Sequence, residues 1–198
     1  MTKRQREIYD SVRKRTRVEL EGGAIDAEGA MSRVMRLHQI ASGFVGILKT
    51  EHRSILTILD DFPELRMLVD TREIVDIMPP EENPRLELLG QMIHEARESE
   101  QKIIVWARFN REMNQICAIY GDEIMRYDGQ VSDRAKRVNL DRFLDPNDGQ
   151  AWILGAKVRS LAHGITANIA KGMMYYSNDP SPEKRLQSLD RNHRIGQD

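Results

Sequence analysis

The stretch that decides the fold is Lys102-Ile-Ile-Val-Trp-Ala-Arg-Phe109, because it contains a continuous apolar, β-rich run from Ile103 to Trp106. Two more runs of this kind lie downstream, from Ala151 to Leu154 and from Met173 to Tyr176. Short apolar runs without polar alternation are typical of parallel strands that are covered on both faces. The sequence therefore predicts a buried parallel sheet in the second half of the chain.

Helical patterns separate these predicted strands. One begins behind Asn83 as N-cap and Pro84 as first helical residue, and another ends before Gly121. Their apolar residues recur at helical spacing: Leu86, Leu89, Ile93 and Ala96 in the first, and Met113, Ile116, Cys117 and Tyr120 in the second. Strands that alternate with helices predict right-handed βαβ units. We therefore expect an α/β domain with a doubly wound parallel sheet from about residue 84 onward.

The first eighty residues follow a different pattern. A helical stripe is formed by Met31, Val34, Met35, His38, Ala41 and Val45, and a weaker amphipathic helix is predicted around Ile8 and Val12. Between Thr50 and Pro80 the pattern fits either helix or short strands, and Pro79-Pro80 ends it. We divide the chain into a helical or mixed segment, residues 1–80, and an α/β domain, residues 81–198.

Charge is distributed unevenly along the chain. The formal net charge of 198 residues is −1, so the chain as a whole has no attraction for nucleic acid. The opening helix is locally basic: Lys3, Arg4, Arg6, Arg13, Lys14, Arg15 and Arg17 outnumber Glu7, Asp10 and Glu19. Such a run fits a solvated helical face or a DNA-binding patch, and the sequence leaves both open.

The chain has no pattern typical of a disulfide, a metal site or a membrane span. Its single cysteine, Cys117, lies on an apolar helical stripe, which predicts a buried core thiol. The five histidines lack the spacing of metal ligands. No signal-peptide pattern and no apolar run of membrane-spanning length is present. We expect a soluble intracellular protein that holds no metal of its own and contacts no membrane.

The residues from Ser181 to Gln197 predict a terminal helix with a polar projecting face. Ser181 can act as N-cap, and Gly196 can end the helix. Gln187, Arg191 and Arg194 then share one face, at i, i+4 and i+7. Guanidinium groups suit the oxygens of a phosphoryl group during transfer, but two surface arginines can equally pair with carboxylates. Spacing alone does not decide between these interpretations.

The string Gln187-x-x-x-Arg191-x-x-Arg194-x-Gly196-Gln197 resembles motif VI of the Swi/Snf-type DNA translocases of helicase superfamily 2. In that family, motif VI lies on the second of two RecA-like lobes and reaches the nucleotide held by the first. The resemblance implies that Arg191 and Arg194 are catalytic arginine fingers that face the γ-phosphate of ATP, with Gln187 beside them.

Other stretches resemble the same family in the same order. Residues 102–109 resemble motif IV, residues 153–166 occupy the place of motif V, and residues 36–45 resemble the helix between the lobes. The implied fold is a RecA-like doubly wound parallel sheet with an N-terminal helical segment. Tyr175-Tyr-Ser-Asn178 and Lys184-Arg-Leu-Gln187 most resemble bacteriophage members, which implies the host cytoplasm as location.

Residues near motif V and motif IV are the candidates for contact with the double-stranded DNA backbone. We expect them at the carboxyl ends of the parallel strands, where open α/β sheets bind ligands. They are Arg108, Lys157, Arg159, His163, Gly164 and Thr166. Motif V departs from the family, which usually carries a glycine pair and an asparagine where this chain has Leu161, Ala162 and Thr166.

The sequence lacks Gly-x-x-x-x-Gly-Lys-Ser/Thr, and no acidic box follows a strand. It therefore predicts half of a DNA-dependent ATPase, which binds ATP and Mg²⁺ only when a first RecA-like lobe joins it, in cis or in trans. The alternative is a non-catalytic module derived from a helicase that binds DNA or a protein partner.

Overall fold

The computed structural model describes residues 1–49, 72–157, 169–179, 181 and 185–186. The chain divides into two compact units, Met1–Pro84 and Arg85–Asp198. The sequence division at residues 80 and 81 lies a few residues before this boundary.

The first unit combines two helices with an antiparallel sheet. Its elements are α1 (Lys3–Lys14), β1 (Arg17–Leu20), β2 (Gly23–Asp26), α2 (Ala30–Ala41), β3 (Phe44–Lys49) and β4 (Arg72–Asp76). The strands follow the order β1-β2-β3-β4, and each pairs antiparallel with its neighbour. Ile8 and Val12 of α1 pack with Ile25, Ile40 and Val45 in one apolar cluster. This unit therefore contains four strands as well as the expected helices.

Helix α1 begins with a capping box. The Thr2 hydroxyl accepts from Gln5 N at 3.2 Å, and Thr2 N donates to Gln5 Oε1 at 2.7 Å. Gln5 Nε2 also donates to Ile40 O at 3.0 Å, which ties α1 to α2. The two bonds between Thr2 and Gln5 satisfy backbone donors that the first turn of a helix leaves without a partner.

The prediction that the second helix continues to Val45 is wrong. Helix α2 ends at Ala41, and Gly43 follows with a φ of 96°, a left-handed conformation that glycine adopts without strain. This turn redirects the chain, so that Val45 lies in β3 opposite Val75. The prediction failed because the apolar periodicity extends to Val45, although the helix ends before Gly43.

The second unit is the predicted α/β domain. Its elements are α3 (Pro84–Glu98), β5 (Lys102–Trp106), α4 (Asn110–Tyr120), β6 (Ile124–Tyr127), α5 (Asp133–Leu144), β7 (Ile153–Ala156) and β8 (Ala170–Tyr175), with short 3-10 helices at Pro80–Glu82 and Gly121–Glu123. The strands pair in parallel in the order β6-β7-β5-β8. The predicted strands 103–106, 151–154 and 173–176 correspond to β5, β7 and β8.

Helices cover this sheet on both faces. Ile103 and Val105 of β5 pack in one cluster with residues of α3 and α4, whereas Ile104 and Trp106 pack in another with Phe143 of α5. All five residues of β5 are buried. Burying a large apolar side chain contributes about 1.5–3 kcal/mol. Burial of this central strand therefore stabilises the unit. The doubly wound parallel sheet is confirmed.

Gly155 in β7 is required by this packing. A Cβ at this position would lie 2.6 Å from Ile124 Cδ1 and 2.9 Å from Met113 Sδ, and both side chains are buried. We expect Gly155→Ala to lower the free energy of unfolding by about 1–3 kcal/mol, measured by urea denaturation. The matched control is Gly172→Ala in β8, where the nearest atom would be Ile103 Cγ2 at 3.6 Å. Equal urea midpoints for the two variants would contradict this explanation.

Candidate functional site at the carboxyl edge of the parallel sheet

Two of the predicted site residues, Arg108 and Lys157, lie in the described part of the chain. Seven others fall outside it: Arg159, His163, Gly164 and Thr166 within residues 158–168, and Gln187, Arg191 and Arg194 within residues 187–198. Their roles stay predictions from the sequence.

Hydrogen bonds join the ends of three neighbouring strands. Ala107 N donates to Ala156 O at 3.0 Å, and Tyr176 N donates to Trp106 O at 2.9 Å. The residues that follow β5, β7 and β8 therefore emerge at the same edge of the sheet. Arg108 and Lys157 are two of these residues, as the sequence predicted. We call this region the carboxyl edge.

A buried carboxylate organises the backbone at the carboxyl edge. Glu112, on the first turn of α4, is fully buried, and its Oε2 accepts from Arg108 N at 3.2 Å and Phe109 N at 3.0 Å. The same oxygen accepts from the Ser177 hydroxyl, and Ser177 Oγ accepts from Arg108 N at 2.8 Å. Glu112 and Ser177 thus hold the loop that carries Arg108 against the end of β8.

Lys157 lies beside the start of α4. Its Nζ donates to Asn110 Oδ1. Partial burial, and to a smaller extent the positive charge of Arg126, lowers the pKa of Lys157, while the carboxylates of Asp128 and Glu112 act in the opposite direction. A cation that has already lost part of its water shell interacts more strongly with an incoming anion. Lys157 is therefore a partly desolvated cation at the carboxyl edge.

An ion pair closes the neighbouring turn after β6. Asp128 is fully buried and accepts from Arg126 Nε at 3.0 Å and from an Arg126 terminal nitrogen at 2.9 Å. Its Oδ1 also accepts from Gln130 N at 2.8 Å, which forms a turn through the side chain. The chain therefore turns at Asp128 and Gly129.

Two stacked aromatic rings lie at the carboxyl ends of β5 and β8. The rings of Trp106 and Tyr175 are 6.4 Å apart between centroids and inclined by 19°. The Arg185 guanidinium lies 4.9 Å above the Tyr175 ring and donates to Asn178 Oδ1 at 3.0 Å. Arg185 N also donates to Ser181 O at 3.3 Å, which agrees with Ser181 as a helix N-cap. This stack fixes Arg185 next to the end of β8.

The sequence placed Arg108 and Lys157 at this edge of the sheet but did not indicate Glu112 and Ser177. One signal was available for Glu112, because it stands three residues after Phe109 at the start of a helical pattern, a position that often accepts from the preceding backbone. No local signal pointed to Ser177, because its partners are 65 and 69 residues away in sequence.

Metal and membrane features were searched within the described ranges only. There, no group of three or more His, Cys, Asp or Glu side chains could hold a metal ion. None of the helices in this part of the chain has the length and apolar character needed to cross a bilayer.

Comparison with known proteins identifies the domain. The family model for the helicase conserved C-terminal domain matches residues 84–196. The mouse SWI/SNF-related matrix-associated actin-dependent regulator of chromatin subfamily A member 1 is 28% identical over 112 residues, which are 55% of this chain and 11% of that protein. The Arabidopsis thaliana CHD3-type chromatin-remodeling factor PICKLE is 26% identical over 117 residues, 57% of this chain and 8% of that protein. The chain thus spans about a tenth of these relatives.

Two solved structures share the fold. The C-terminal domain of the Sulfolobus solfataricus SWI2/SNF2 ATPase superposes with a TM-score of 0.54 and 14% identity, covering 89% of this chain and 68% of that chain. The C-terminal part of the Fun30 ATPase domain gives 0.53 and 16%, covering 74% and 46%. The RecA-like fold is therefore confirmed, whereas these comparisons do not support the bacteriophage origin. The chain belongs to the family of the helicase conserved C-terminal domain.

Proposed function

We propose that this chain is the C-terminal lobe of a Swi/Snf-type DNA-dependent ATPase. It supplies arginine fingers and DNA-backbone contacts to an ATPase site that a separate first lobe completes, in cis or in trans. The observation that carries the proposal is the carboxyl edge, where Arg108 and Lys157 come together on a fold shared with SWI2/SNF2 C-terminal domains.

The DNA contacts follow from the chemistry of the carboxyl edge. Arg108 and Lys157 offer two cations: Glu112 holds the backbone N of Arg108, and Asn110 accepts from the Lys157 ammonium. Arg159, His163, Gly164 and Thr166 extend this set in the motif that follows Lys157. Contacts to phosphates alone would be independent of base sequence and sensitive to salt, as a protein that moves along DNA requires.

The nucleotide contacts rest on Gln187, Arg191 and Arg194. Two guanidiniums and an amide form a donor set that fits the oxygens of a γ-phosphate. Arg185, two residues before Gln187, contacts the Tyr175 ring and Asn178 beside the end of β8, which supports nucleotide contacts near the carboxyl edge. MgATP, bound mainly by the first lobe, would supply the phosphoryl group, and the fingers would stabilise its charge during transfer.

The test is complementation. A first lobe that carries a Walker A lysine and an acidic box is assayed for ATP hydrolysis alone, with this chain, and with this chain plus duplex DNA. We expect hydrolysis above background only with both lobes and a clear increase on adding DNA. Hydrolysis by this chain alone, or an inactive mixture of lobes that bind each other, would contradict the proposal.

A second candidate function is a non-catalytic binding module. The altered motif V, with Leu161, Ala162 and Thr166, favours it, since Thr166 stands where the family usually has an asparagine that supplies a side-chain contact. In this case the chain would bind duplex DNA in a salt-sensitive way, and Arg159→Ala would weaken that binding, while no first lobe would become active on mixing. The two functions therefore give opposite results in the complementation assay.

A further inference from the structure

The chain between β5 and the first turn of α4 contacts the segments that follow two other strands. Asn110, the first residue of α4, accepts from the Lys157 ammonium after β7. Arg108 N donates at 2.8 Å to Ser177 Oγ, which lies after the end of β8. We call residues 107–112 the β5–α4 junction. It therefore joins a candidate DNA contact to the segment that leads toward Gln187.

The Ser177 hydroxyl is held in both directions. It donates to Glu112 Oε2, and its oxygen accepts from Arg108 N at 2.8 Å. Glu112 is fully buried, and the same Oε2 accepts from Phe109 N at 3.0 Å. A hydroxyl that both donates and accepts within the protein has one favoured orientation. Ser177 therefore sets where the chain after β8 lies relative to the β5–α4 junction.

Hydrogen bonds continue from the end of β8 to Arg185. Asp179 Oδ1 accepts from Ser181 N at 3.0 Å, and Ser181 O accepts from Arg185 N at 3.3 Å. The Arg185 guanidinium donates to Asn178 Oδ1 at 3.0 Å and lies 4.9 Å from the centroid of the Tyr175 ring. The position of Arg185 is therefore tied to the residues on either side of Ser177.

These contacts together connect the β5–α4 junction to Arg185 through Ser177. Gln187, Arg191 and Arg194 follow Arg185 in the sequence. Misplacing a catalytic group by about 1 Å costs on the order of 100-fold in rate. The point at which the preceding chain is held therefore affects how well the finger arginines reach a nucleotide.

We propose that Ser177, held by Glu112, is a positioning residue that couples phosphate contact at the β5–α4 junction to nucleotide contact by Arg191 and Arg194. The inference rests on the proposed function and deepens it, because it assigns a residue through which DNA stimulates hydrolysis. Phosphate binding at Arg108 orders the junction, and the Ser177 hydroxyl transmits that order to the chain after β8. Hydrogen-bond networks carry coupling of this kind between two sites.

The test measures kcat of a mixture of this chain and a first lobe, with and without duplex DNA. For Ser177→Ala the ratio of the two kcat values should fall about fivefold, the effect of losing one hydrogen bond from the coupled network. Ser177→Thr keeps the hydroxyl and should restore the wild-type ratio. Thr2→Ala removes a hydroxyl that caps α1 in the first unit, and its ratio should equal that of the wild type. A role in stability alone would lower both kcat values together.

A second variant keeps the test decisive if Ser177→Ala is unfolded at the assay temperature, which circular dichroism checks. Asn178→Ala changes an exposed residue and removes the acceptor for Arg185, so it should also lower the ratio while duplex affinity stays within about twofold. A wild-type ratio in folded Ser177→Ala would overturn the inference, as would a loss that Ser177→Thr does not reverse. If Ser177→Ala is unfolded, a wild-type ratio in Asn178→Ala overturns it.

Amide hydrogen exchange in the same mixture separates this inference from the proposed function. Duplex DNA should slow exchange of residues 107–112 in both the wild type and Ser177→Ala, and exchange of residues 175–185 in the wild type only. Equal slowing of residues 175–185 in the two proteins would overturn the inference and leave the proposed function intact. A wild-type mixture that binds DNA without hydrolysing ATP would refute the proposed function and the inference with it.

Discussion

Replacing Arg194 by alanine should reduce kcat of the reconstituted ATPase by roughly 10³–10⁵-fold, the range of effects attributed to arginine fingers. The reason is that a guanidinium near the γ-phosphate stabilises charge that develops only in the transition state. Truncation therefore removes catalysis and leaves most of the ground-state binding. The measurement is steady-state hydrolysis in a mixture of this chain, a first lobe and duplex DNA.

Two controls test whether the effect of Arg194→Ala on kcat is specific to this arginine and to catalysis. Arg134→Ala removes an arginine from an exposed position of α5 and should leave kcat within about twofold, because surface substitutions away from a site have small effects. DNA affinity of Arg194→Ala should stay near that of the wild type. If kcat falls by less than tenfold, or if DNA binding falls in parallel with it, Arg194 does not act as a finger.

Replacing Glu112 by alanine should lower the free energy of unfolding by about 3 kcal/mol. Its carboxylate is fully buried and accepts from Arg108 N, Phe109 N and the Ser177 hydroxyl. Truncation removes the acceptor for Phe109 N and the Ser177 hydroxyl in a buried region, while Arg108 N keeps its bond to Ser177 Oγ. Urea denaturation followed by circular dichroism measures the loss.

Glu112→Gln is the matched control for this prediction. The amide keeps one oxygen that can accept from the two backbone groups, so we expect a loss of about 1 kcal/mol. Ser177→Ala, which removes one partner, should behave like Glu112→Gln. The same loss for Glu112→Ala and Glu112→Gln would show that packing, and not hydrogen bonding, explains the role of this residue.

The parallel sheet could be predicted because its signals are local and agree with one another. Ile103 to Trp106 is apolar at every position, and the structure buries each of these residues between two helical layers. Pro84 and Gly121 mark a helix start and a helix end. Each signal is contained within a few residues, so no knowledge of distant contacts was needed.

The antiparallel sheet of the first unit was missed for a physical reason. Strand β1 is short and half exposed, and it reads Arg-Val-Glu-Leu, so charged residues before and after it obscure its alternation. Two residues separate it from β2, and Gly22 has a φ of 85° there. Gly22-Gly23 was the available signal for a tight hairpin. Pairing of β3 with β4 joins residues on either side of 50–71, which local patterns cannot anticipate.

The position of the two cations at the carboxyl edge could be predicted from the sequence, whereas the residues that hydrogen-bond to the backbone there could not. Arg108 and Lys157 follow apolar strands directly, and strand ends in a parallel sheet meet at one edge. The Ser177 hydroxyl donates to the Glu112 carboxylate, and the two residues are 65 positions apart in sequence. Such pairs depend on the tertiary fold, so composition and spacing did not reveal them.

The measurement that tests the central claim most directly is binding of Mg·ADP with beryllium fluoride, a mimic of the γ-phosphate, by isothermal titration calorimetry. It compares a first lobe alone, this chain alone, and both lobes with duplex DNA. A composite site predicts binding at least tenfold tighter to the two lobes than to the first lobe, and loss of that gain with Arg191→Ala/Arg194→Ala. The same affinity for the first lobe with and without this chain would contradict the account.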